Sequence, residues 1–357
     1  MSRRRVAGIG AGHYGRFHIE GWCSLPQAEV VAWCDPDAAR AAAIAREFAN
    51  PRTFADAAAM LDDVRPDLVD IVTPPATHLP LVMLACARGI PVVCQKPLAP
   101  SWDECVSLAR IAREAGVLCL VHENFRFQRW YREMRRWVEA GRLGRLHSIA
   151  FRLRTGDGQG PHAYLDRQPY FRDMPRFVVM ETAIHFIDVF RYLMGEVVAV
   201  SARLRRVNPV LRGEDAGYIL FEFEGGAGGV FDANRCNDHV ADHPRRTGGA
   251  MWLEGEAGVL RLDGDGRLWW KPHGRAEVEH AYDRSPDSVA AGPVAALHAH
   301  ALAVLDGRTA AENAVEDYLV NVRVQEAVYA AHREGRRIEL AGYAPPSGAP
   351  APALESR

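Results

Sequence analysis

A glycine-rich turn near the start of the chain restricts its fold more than any other feature. It follows an apolar run at residues 6–9 and precedes a helical pattern at residues 13–24. The glycines Gly10, Gly12 and Gly15 have the spacing G-x-G-x-x-G, which permits a tight turn, close approach of the backbone to a phosphate, and close packing of helix on strand. A pyrophosphate there would accept hydrogen bonds from N–H groups at the helix N-terminus. The turn predicts a dinucleotide-binding domain, although the glycine spacing alone also occurs in ordinary turns.

An acidic residue lies where such a domain binds the adenosine ribose. A second apolar run, residues 29–34, ends in Asp35, about twenty residues after Gly15. Its carboxylate would accept hydrogen bonds from the ribose hydroxyls and repel a 2′-phosphate. Neither Pro36 nor Asp37 could bind that phosphate, and Arg40 is a helical turn away. We therefore predict NAD(H) rather than NADP(H) as the cofactor.

The composition excludes several other classes of protein. The length of 357 residues suggests two domains, and 48% hydrophobic with 25% charged residues is ordinary for a globular chain. A formal net charge of −2 gives no reason to expect nucleic acid or an anionic membrane as partner, and no apolar run is long enough to span a bilayer. The basic start leads directly into the first predicted strand, so we predict a cytoplasmic protein without an export signal. The seven cysteines, with no C-x-x-C, are expected to be reduced and mostly buried.

The order of strand and helix patterns predicts an α/β fold with two domains. Residues 1–122 alternate short apolar strands with helices, including one predicted at residues 54–61, which indicates a parallel Rossmann sheet covered on both faces. Residues 123–343 contain mainly alternating strands, which indicate a C-terminal α/β domain with an open, mostly antiparallel sheet. Helical patterns at residues 129–140, 181–194, 294–305 and 312–333 belong to this second domain. The Pro-, Ala- and Gly-rich tail, residues 344–357, is predicted to be disordered.

Two patterns could supply catalytic groups. Lys96 follows an apolar strand and precedes Pro97, which biases its backbone towards an extended conformation at the carboxyl edge of the sheet. A surface lysine at a strand end would look the same. Spacings of four and three place Glu181, His185 and Asp188 on one face of a predicted helix, and a histidine beside carboxylates suits a general base. A hydrogen-bonded core histidine, or an exposed face with ion pairs, would give the same pattern.

In combination these motifs resemble the glucose–fructose oxidoreductase/inositol dehydrogenase/MocA (Gfo/Idh/MocA) family. The glycine motif continued to His18, Thr73-Pro74 followed by His78, the Lys96-Pro97 turn, and the His185 helix occur in register, and the resemblance covers residues 4–340. It implies a Rossmann domain and a C-terminal domain whose sheet forms a homodimer or homotetramer. It also implies hydride transfer between nicotinamide and a hydroxyl-bearing carbon of a sugar or cyclic polyol such as inositol.

The resemblance also implies roles for individual residues. His185 would accept the hydroxyl proton as base, Lys96 would polarise the reacting oxygen, and Glu181 would orient the substrate or His185. The residues expected to bind the cofactor are Gly10, Gly12, His13, Tyr14, Gly15, Asp35, Thr73, Pro74, His78, Gln95 and Lys96.

Three departures from the family pattern leave other reactions open. Gln95 replaces a usual glutamate, Glu181 replaces a usual aspartate, and residues 177–180 replace a glycine-rich segment. The first change would alter the hydrogen bonding of Lys96, and the second lengthens a side chain by one methylene. The alternatives are an NAD-recycling, glycosidase-like reaction, reduction of a keto sugar or imine, and a non-enzymatic NAD-binding sensor.

Weaker signals concern the substrate and metals. Long loops often carry substrate contacts, and residues 155–176 form a long polar and aromatic loop. The loop containing Asp238, His239, Asp242 and His243 has metal-like spacing, but the predicted chemistry needs no metal and we predict none. The residues predicted to contact the substrate are Asn124, Arg126, His162, Tyr164, Tyr170, Arg172 and Asp188.

Overall fold

Two β-sheets organise the chain, and each belongs to a separate unit. A computed structural model of the protein describes residues 3–48, 50–284, 291–348 and 352–354. The first unit comprises Met1–Phe127, Asp287–Val320 and Pro346–Pro350, and the second comprises Gln128–Pro286, Asn321–Pro345 and Ala351–Arg357.

The sheet of the first unit has six strands, all parallel. The strands are β1 Arg4–Ile9, β2 Ala28–Cys34, β3 Arg52–Phe54, β4 Leu68–Ile71, β5 Val92–Gln95 and β6 Cys119–His122. They lie in the order β3-β2-β1-β4-β5-β6. The helices between them are α1 Gly15–Cys23, α2 Ala38–Glu47, α3 Ala57–Val64, α4 His78–Cys86 and α5 Trp102–Ala115, with a short 3₁₀ helix at Pro75–Thr77; another, Phe125–Phe127, follows β6. This is the predicted Rossmann arrangement, which is confirmed.

Local sequence explains where these helices begin and end. The Asp37 carboxylate accepts hydrogen bonds from the first turn of α2, and Ser101 with Glu104 forms the capping box that opens α5. Gly116 ends α5 in a left-handed conformation, with φ of 63°. The helix predicted at residues 54–61 was placed too early. Asp56 caps α3 by accepting from the Ala59 N–H, so the helix starts after it, and Phe54 instead ends the short edge strand β3.

The second unit contains a nine-stranded sheet. Its strands are β7 Leu146–Leu153, β8 Val197–Arg205, β9 Ala216–Phe223, β10 Gly228–Asn234, β11 Gly249–Gly255, β12 Gly258–Leu262, β13 Leu268–Pro272, β14 Val278–His280 and β15 Ile338–Glu339. Their order is β14-β13-β12-β11-β7-β10-β9-β8-β15, and β7 with β10 is the parallel pair. The predicted open, mostly antiparallel sheet is therefore confirmed. The short strands β14 and β15 were not predicted.

Helices cover one face of this sheet. The helix α6 spans Arg129–Glu139, a π-helix spans Val178–Ala183, α7 spans Ile184–Met194, and 3₁₀ helices span Pro169–Asp173 and Glu224–Gly226. Burial alternates along β9, so its inward residues pack in the core, as Phe221 does against Phe190 of α7. Its outward residues Tyr218 and Leu220 are 47% and 50% exposed.

Two later helices change the predicted domain assignment. The helix α8 spans Ala291–Leu305 and α9 spans Val315–Glu334. Both were assigned to the second domain from sequence order, but α8 packs in the first unit, where Leu297 and Leu302 join the core around Ile19 and Trp22. The division between the units falls inside α9, after Val320. The order of elements along the chain did not reveal that α8 returns to the first unit, because its apolar residues do not indicate which sheet they cover. No helix among the described residues has the length and apolar character needed to cross a membrane.

The described part of the tail makes specific contacts. The Gly348 N–H donates to the Asp103 carboxylate at 2.8 Å, and Ala353, which is 4% exposed, donates its N–H to the carbonyl of Pro175 at 3.2 Å. The prediction of a disordered tail does not fit these residues. For residues 349–351 and 355–357 that prediction lies outside the part of the chain that the structure describes.

Candidate functional site

The glycine turn of the first unit has the geometry of a phosphate-binding loop. Gly10 has φ of +108°, and a Cβ there would lie 2.4 Å from the carbonyl oxygen of Val72. A Cβ on Gly15 would lie 2.4 Å from the carbonyl oxygen of Gly10. A Cβ on Gly12 would meet no atom within 4 Å. The fold itself therefore requires glycine at the first and third positions, whereas the second faces open space of the kind a pyrophosphate would occupy.

The start of α1 adds donors to this turn. Tyr14 is the N-cap residue, and its side chain makes no capping hydrogen bond. The N–H groups of the first helical turn and the positive end of the helix dipole suit an anion at this position. His13 contacts the Tyr14 ring edge-on with ring centroids 5.5 Å apart, and Tyr14 is 39% exposed. The turn therefore fits the predicted dinucleotide.

Asp35 ties the glycine turn to the end of β2. Its carboxylate accepts the Ala11 N–H at 2.7 Å and the Asp37 N–H at 2.9 Å, one on each oxygen. A carboxylate can accept about four hydrogen bonds, so capacity remains for ribose hydroxyls. Arg40 pairs with Asp37 at 3.2 Å. The site thus keeps a fixed negative charge where a 2′-phosphate would lie, which favours NAD(H).

His78 joins two of the loops predicted to bind the cofactor. It is fully buried, and its ring nitrogens lie 2.8 Å from the carbonyl oxygen of Thr73 and 3.0 Å from that of Leu98. Burial lowers the pKa of the ring, although the hydrogen bonds to these carbonyls oppose the shift. Because each ring nitrogen contacts a backbone carbonyl, His78 holds the Thr73-Pro74 segment against the residues that follow Lys96.

Gln95 holds the backbone of the Lys96 turn. Its Oε1 accepts the Lys96 N–H at 2.7 Å, and its Nε2 lies 2.9 Å from Nε2 of His18. The Lys96–Pro97 peptide bond is cis. The replacement of the usual glutamate therefore does not leave this turn without a side-chain partner.

A group of buried polar side chains lies beneath that turn. His18 places Nδ1 2.8 Å from Oδ2 of Asp70, and the same oxygen accepts the Trp22 indole N–H at 2.7 Å. Within the described residues, His18, His122 and His298 form the one set of three potential metal ligands whose donor atoms lie within 4.8 Å of one another. Both nitrogens of His18 already have hydrogen-bond partners, so we do not assign a metal to this set.

Asn124 and Arg126 lie beyond β6 in the first unit. The carbonyl of Asn124 accepts the Phe127 N–H at 3.0 Å in a 3₁₀ turn. The Arg126 guanidinium lies 3.7 Å from the Glu312 carboxylate. Their predicted contact with substrate remains a prediction.

In the second unit, the helix that carries the candidate base is irregular at its start. The sequence predicts one helix from Glu181 to Met194, but Val178–Ala183 is a π-helix and α7 begins at Ile184. The Ile184 N–H donates a hydrogen bond to the Val179 carbonyl, five residues earlier. His185 and Asp188 therefore share an α-helix, whereas the wider turn shifts Glu181 from the α-helical face that the spacing predicts.

Glu214 anchors the start of the π-helix. Its Oε1 accepts from the N–H groups of Phe177 at 3.1 Å and Val179 at 3.0 Å and from the Tyr329 hydroxyl at 2.8 Å. Glu214 is fully buried, and burial raises the pKa of its carboxyl despite these hydrogen bonds. The Val178 N–H donates to the Glu214 carbonyl. Consecutive N–H groups are thus bound by one residue, which fixes the non-α geometry before Glu181.

Arg235 connects Glu181 with a second acid, Asp157. It is 4% exposed, and its guanidinium donates to Asp157 at 3.2 and 2.8 Å, to the Thr182 hydroxyl at 2.8 Å and to Glu181 at 3.3 Å. Burial alone would raise the pKa of Asp157, but the charge and hydrogen bonds of Arg235, with Thr155, hold it below its usual value. Glu181 also accepts from the Thr182 hydroxyl at 2.6 Å. Its carboxylate is therefore held in a defined orientation.

The long loop contributes packing as well as exposed groups. Tyr164 is 6% exposed, packs on Phe171 and Phe177, and donates its hydroxyl to Asp157 at 3.3 Å. It supports the Arg235 cluster rather than presenting an exposed ring. Tyr170 is 54% exposed, His162 is exposed, and Arg172 is half-buried. The substrate contacts predicted for these residues remain predictions.

Asp188 has a structural partner. It is fully buried in α7, and its Oδ1 accepts from the Asn321 side-chain amide at 2.8 Å. This contact gives Asp188 a structural role in the second unit, and its predicted contact with the substrate remains a prediction. His185, three residues earlier in α7, is 5% exposed.

The loop with metal-like spacing is used for backbone contacts. Nδ1 of His239 lies 2.6 Å from the Arg154 carbonyl, and Asp238 bridges to Thr155. The Asp242 N–H donates to Asp265. Within the described residues, the side chains of this loop do not bring three potential metal ligands close together.

Sequence reasoning missed Asp157, Arg235 and Glu214. Each lies outside the recognised motifs, and each contacts residues from distant parts of the chain; Arg235 and Glu214 are buried and Asp157 is half-buried. The available signal was weak: Arg235 follows directly after an alternating strand, where a cation in an otherwise apolar environment needs a partner.

The parallel sheet, the glycine turn and Asp35 define the class of the protein: it is an NAD-binding oxidoreductase with a Rossmann domain. The model of the oxidoreductase family with an NAD-binding Rossmann fold matches residues 4–123, and that of the GFO/IDH/MocA C-terminal domain matches residues 131–261. The chain belongs to the Gfo/Idh/MocA family. The predictions of family, fold and NAD(H) are thereby confirmed.

Named relatives cover most of the chain. A D-apiose dehydrogenase from Paraburkholderia graminis is 32% identical over 95% of this chain and 90% of its own length. The NAD⁺-dependent scyllo-inositol 2-dehydrogenase of Bacillus subtilis is 30% identical over 67% of this chain and 69% of its own. A crystal structure of an oxidoreductase from Agrobacterium radiobacter, in complex with NAD⁺, L-tartaric acid and magnesium, aligns with a TM-score of 0.86 at 27% identity over 96% of this chain and 99% of that one.

Proposed function

We propose that the protein is an NAD(H)-dependent dehydrogenase of a sugar or cyclic polyol. The observation that carries the proposal is the glycine turn, with open space at Gly12 and the Asp35 carboxylate beside it, in a chain that aligns over 95% of its length with a D-apiose dehydrogenase. When bound, NAD⁺ supplies the hydride acceptor. The chain itself must bind the substrate, orient it and remove a hydroxyl proton.

We assign those tasks to three residues. His185 accepts the proton of the reacting hydroxyl, Lys96 stabilises the developing negative charge on that oxygen, and Glu181 orients the substrate or the imidazole. The support for Lys96 is the fixed backbone of its turn. The support for Glu181 is its attachment to Arg235, which limits the positions of the carboxylate. His185 is 5% exposed, in keeping with a base shielded from bulk water.

The substrate class follows from the relatives. D-apiose is a branched aldose and scyllo-inositol a cyclic polyol, and both carry secondary or hemiacetal hydroxyl groups that a dehydrogenase can oxidise. We therefore propose that the substrate lies among aldoses and inositols. D-apiose should be tested first, because the D-apiose dehydrogenase aligns over more of this chain than the scyllo-inositol dehydrogenase does.

The direct test is NADH formation, followed by absorbance at mildly alkaline pH, with D-apiose, inositol isomers and common aldoses, and with NADP⁺ in parallel. The His185→Ala variant should lose at least about a hundredfold in kcat, as expected for a general base, and keep its affinity for NADH. His147→Ala, an exposed histidine of β7, is the matched control and should keep full activity. Unchanged turnover in His185→Ala would refute the assigned role. NADH binding without turnover on any substrate would contradict the proposed reaction.

The proposal extends to association of copies of the protein through the second sheet. On the outward face of the second sheet, Leu220 of β9 lies opposite Ser201 on β8 and opposite Val230 on β10. Leu220 and Val230 are 50% and 37% exposed, an apolar surface suited to a second copy. We propose a homodimer or homotetramer in the cytoplasm, and Leu220→Lys should lower the molecular mass measured by sedimentation.

A further inference from the structure

A chain of hydrogen bonds runs from a buried carboxylate to the backbone of Lys96. It passes from Oδ2 of Asp70 to Nδ1 of His18 at 2.8 Å, and from Nε2 of His18 to Nε2 of Gln95 at 2.9 Å. It ends where Oε1 of Gln95 accepts the Lys96 N–H at 2.7 Å. Asp70, His18 and the end of β5 all belong to the first unit.

The direction of every bond in this chain can be assigned. A backbone N–H can only donate, so the Gln95 group that faces Lys96 must be the amide oxygen. The amide nitrogen then faces His18, and because that nitrogen can only donate, Nε2 of His18 must be a bare acceptor. The ring proton is consequently on Nδ1 and is donated to Asp70. Gln95 thus selects one neutral tautomer of His18.

The groups around His18 agree with this assignment. The ring faces Asp70 from β4, Gln95 from β5, His122 at the end of β6, and His298 of α8, whose Nε2 lies 3.5 Å from the Asp70 carboxylate. Burial, and then the neighbouring rings of His122 and His18, lower the pKa of His298 well below its usual value, so that ring is neutral. The indole N–H of Trp22 also binds Asp70. One carboxylate therefore carries the formal charge, and His18 donates to it.

We propose that Gln95 and His18 are positioning residues for Lys96, which fix the backbone of its turn through the Nδ1–H tautomer of His18. This inference rests on the function proposed above, in which Lys96 stabilises the charge on the reacting oxygen. Loss of the Gln95 amide would leave the Lys96 N–H and Nε2 of His18 without these partners and release the turn. A displacement of about 1 Å in a catalytic group can cost about a hundredfold in rate.

A glutamate at position 95 would support the turn only with one additional proton. The carboxylate introduced by Gln95→Glu can accept from the Lys96 N–H with one oxygen, but its other oxygen cannot donate to His18. A proton taken up on Nε2 of His18 restores the bond, and the imidazolium then lies between two carboxylates. The summed charge of residues 18, 70 and 95 is −1 in both forms, so the turn keeps its partner while the protonation of His18 differs.

The test compares Gln95→Leu and Gln95→Glu with the wild type. Kinetics with NAD⁺ and the accepted polyol give kcat and KM, and NADH fluorescence gives cofactor affinity. Long-range ¹H–¹⁵N spectra of ¹⁵N-histidine-labelled protein at neutral pH give the protonation of each ring nitrogen of His18, assigned by loss of its signals in His18→Asn. Gln325→Leu is the matched control, because Gln325 is also a buried glutamine but lies in the second unit.

We expect Gln95→Leu to lower kcat about tenfold or more, with a change in KM of less than about threefold, and Gln95→Glu to keep kcat within about threefold of wild type. Gln325→Leu should keep wild-type kcat. In the spectra, wild-type His18 should carry a proton on Nδ1 alone, and Gln95→Glu should carry protons on both nitrogens. A wild-type kcat in Gln95→Leu, or a proton on Nε2 of His18 in the wild type, would overturn the proposal.

The outcomes also separate this inference from the proposed function. If the wild type binds NADH but oxidises no sugar or polyol, the proposed function fails, and the His18 spectra still decide the tautomer on which this inference depends. If the wild type is active and Gln95→Leu does not fold, wild-type His18 and the Gln95→Glu variant provide both tests.

Discussion

The ion pair between Arg235 and Asp157 should be a principal determinant of stability in the second unit. Arg235→Met preserves much of the side-chain volume but removes the charge and each hydrogen bond that Arg235 donates to Asp157, Glu181 and Thr182. Asp157 keeps its contacts with Thr155, Tyr164 and Arg167. The side chains of Arg235 and Asp157 are only 5% and 11% exposed, so water cannot replace the lost partner. Breaking a buried pair in this way typically costs about 3–5 kcal/mol. We expect a loss of that size in the free energy of unfolding at neutral pH.

The loss should depend on pH with a definite sign. In the wild type the pKa of Asp157 lies below its usual value, so its contribution to stability is present above the unfolded-state pKa of about 3.9 and is lost as the pH falls through the folded-state pKa. Without Arg235, the remaining contacts of Asp157 with Thr155 and Arg167 offset burial only in part, and the carboxyl should bind a proton more readily. The deficit of Arg235→Met relative to wild type should therefore shrink as the pH falls from about 7 towards about 5.

Urea unfolding followed by circular dichroism measures these differences, with Asp157→Asn and the double variant completing a mutant cycle. A coupling energy of about 1–3 kcal/mol is expected for groups in direct contact. The matched control is Arg261→Met, because Arg261 binds Glu277 at 2.8 Å while both side chains are partly exposed. That control should lose less than about 1 kcal/mol. Equal losses in the two variants, or a deficit for Arg235→Met that does not change with pH, would refute the reasoning.

Further outcomes follow from single substitutions at four residues. Gly10→Ala should lower the melting temperature, because its Cβ would lie 2.4 Å from the Val72 carbonyl oxygen, whereas Gly12→Ala should melt as wild type but weaken NADH binding by about tenfold or more in a fluorescence titration. Asp35→Ser should reduce the preference for NADH over NADPH, because the charge that repels a 2′-phosphate is lost; an unchanged ratio of dissociation constants would contradict this. Burial raises the pKa of Glu214, so its stability contribution is present below about pH 4.3 and is lost as the pH rises through the folded-state pKa. As the pH rises from about 5 to about 8, the free energy of unfolding of Glu214→Gln should therefore fall less than that of the wild type. An identical pH dependence in the two proteins would argue against this reasoning.

The parts of the fold that sequence predicted are those set by local chemistry. Short apolar strands, Ser101 with Glu104 at the start of α5, and Gly116 at its end each act within a few residues, and each was confirmed. The errors lie where distant contacts decide. The edge strand β3 depends on pairing with β2, and the membership of α8 in the first unit depends on which core its apolar face meets.

In the candidate site too, features set by local sequence were predicted and those set by distant contacts were missed. The glycines and Asp35 were found because a cofactor imposes a fixed spacing along the chain. The network around Glu181 was not, because its partner Arg235 and the acid Asp157 that binds Arg235 come from separate segments, 54 residues after and 24 residues before it, and no short-range pattern joins them. One signal was available for the other network. Asp70 interrupts an otherwise apolar buried strand, and a carboxylate in that position requires hydrogen-bond donors.

Two of the three departures from the family pattern, Gln95 and Glu181, lie beside these networks, and the contacts explain why both can be tolerated. At position 95 the loss of a carboxylate is balanced by a neutral His18, so the Lys96 N–H keeps an acceptor. At position 181 the longer glutamate side chain extends to Arg235 and Thr182, whose donors orient it. In each case the altered residue binds a group that is itself held by an acid from another segment, Asp70 or Asp157. Substitutions at those two acids should therefore affect the candidate catalytic residues more than their distance along the sequence indicates.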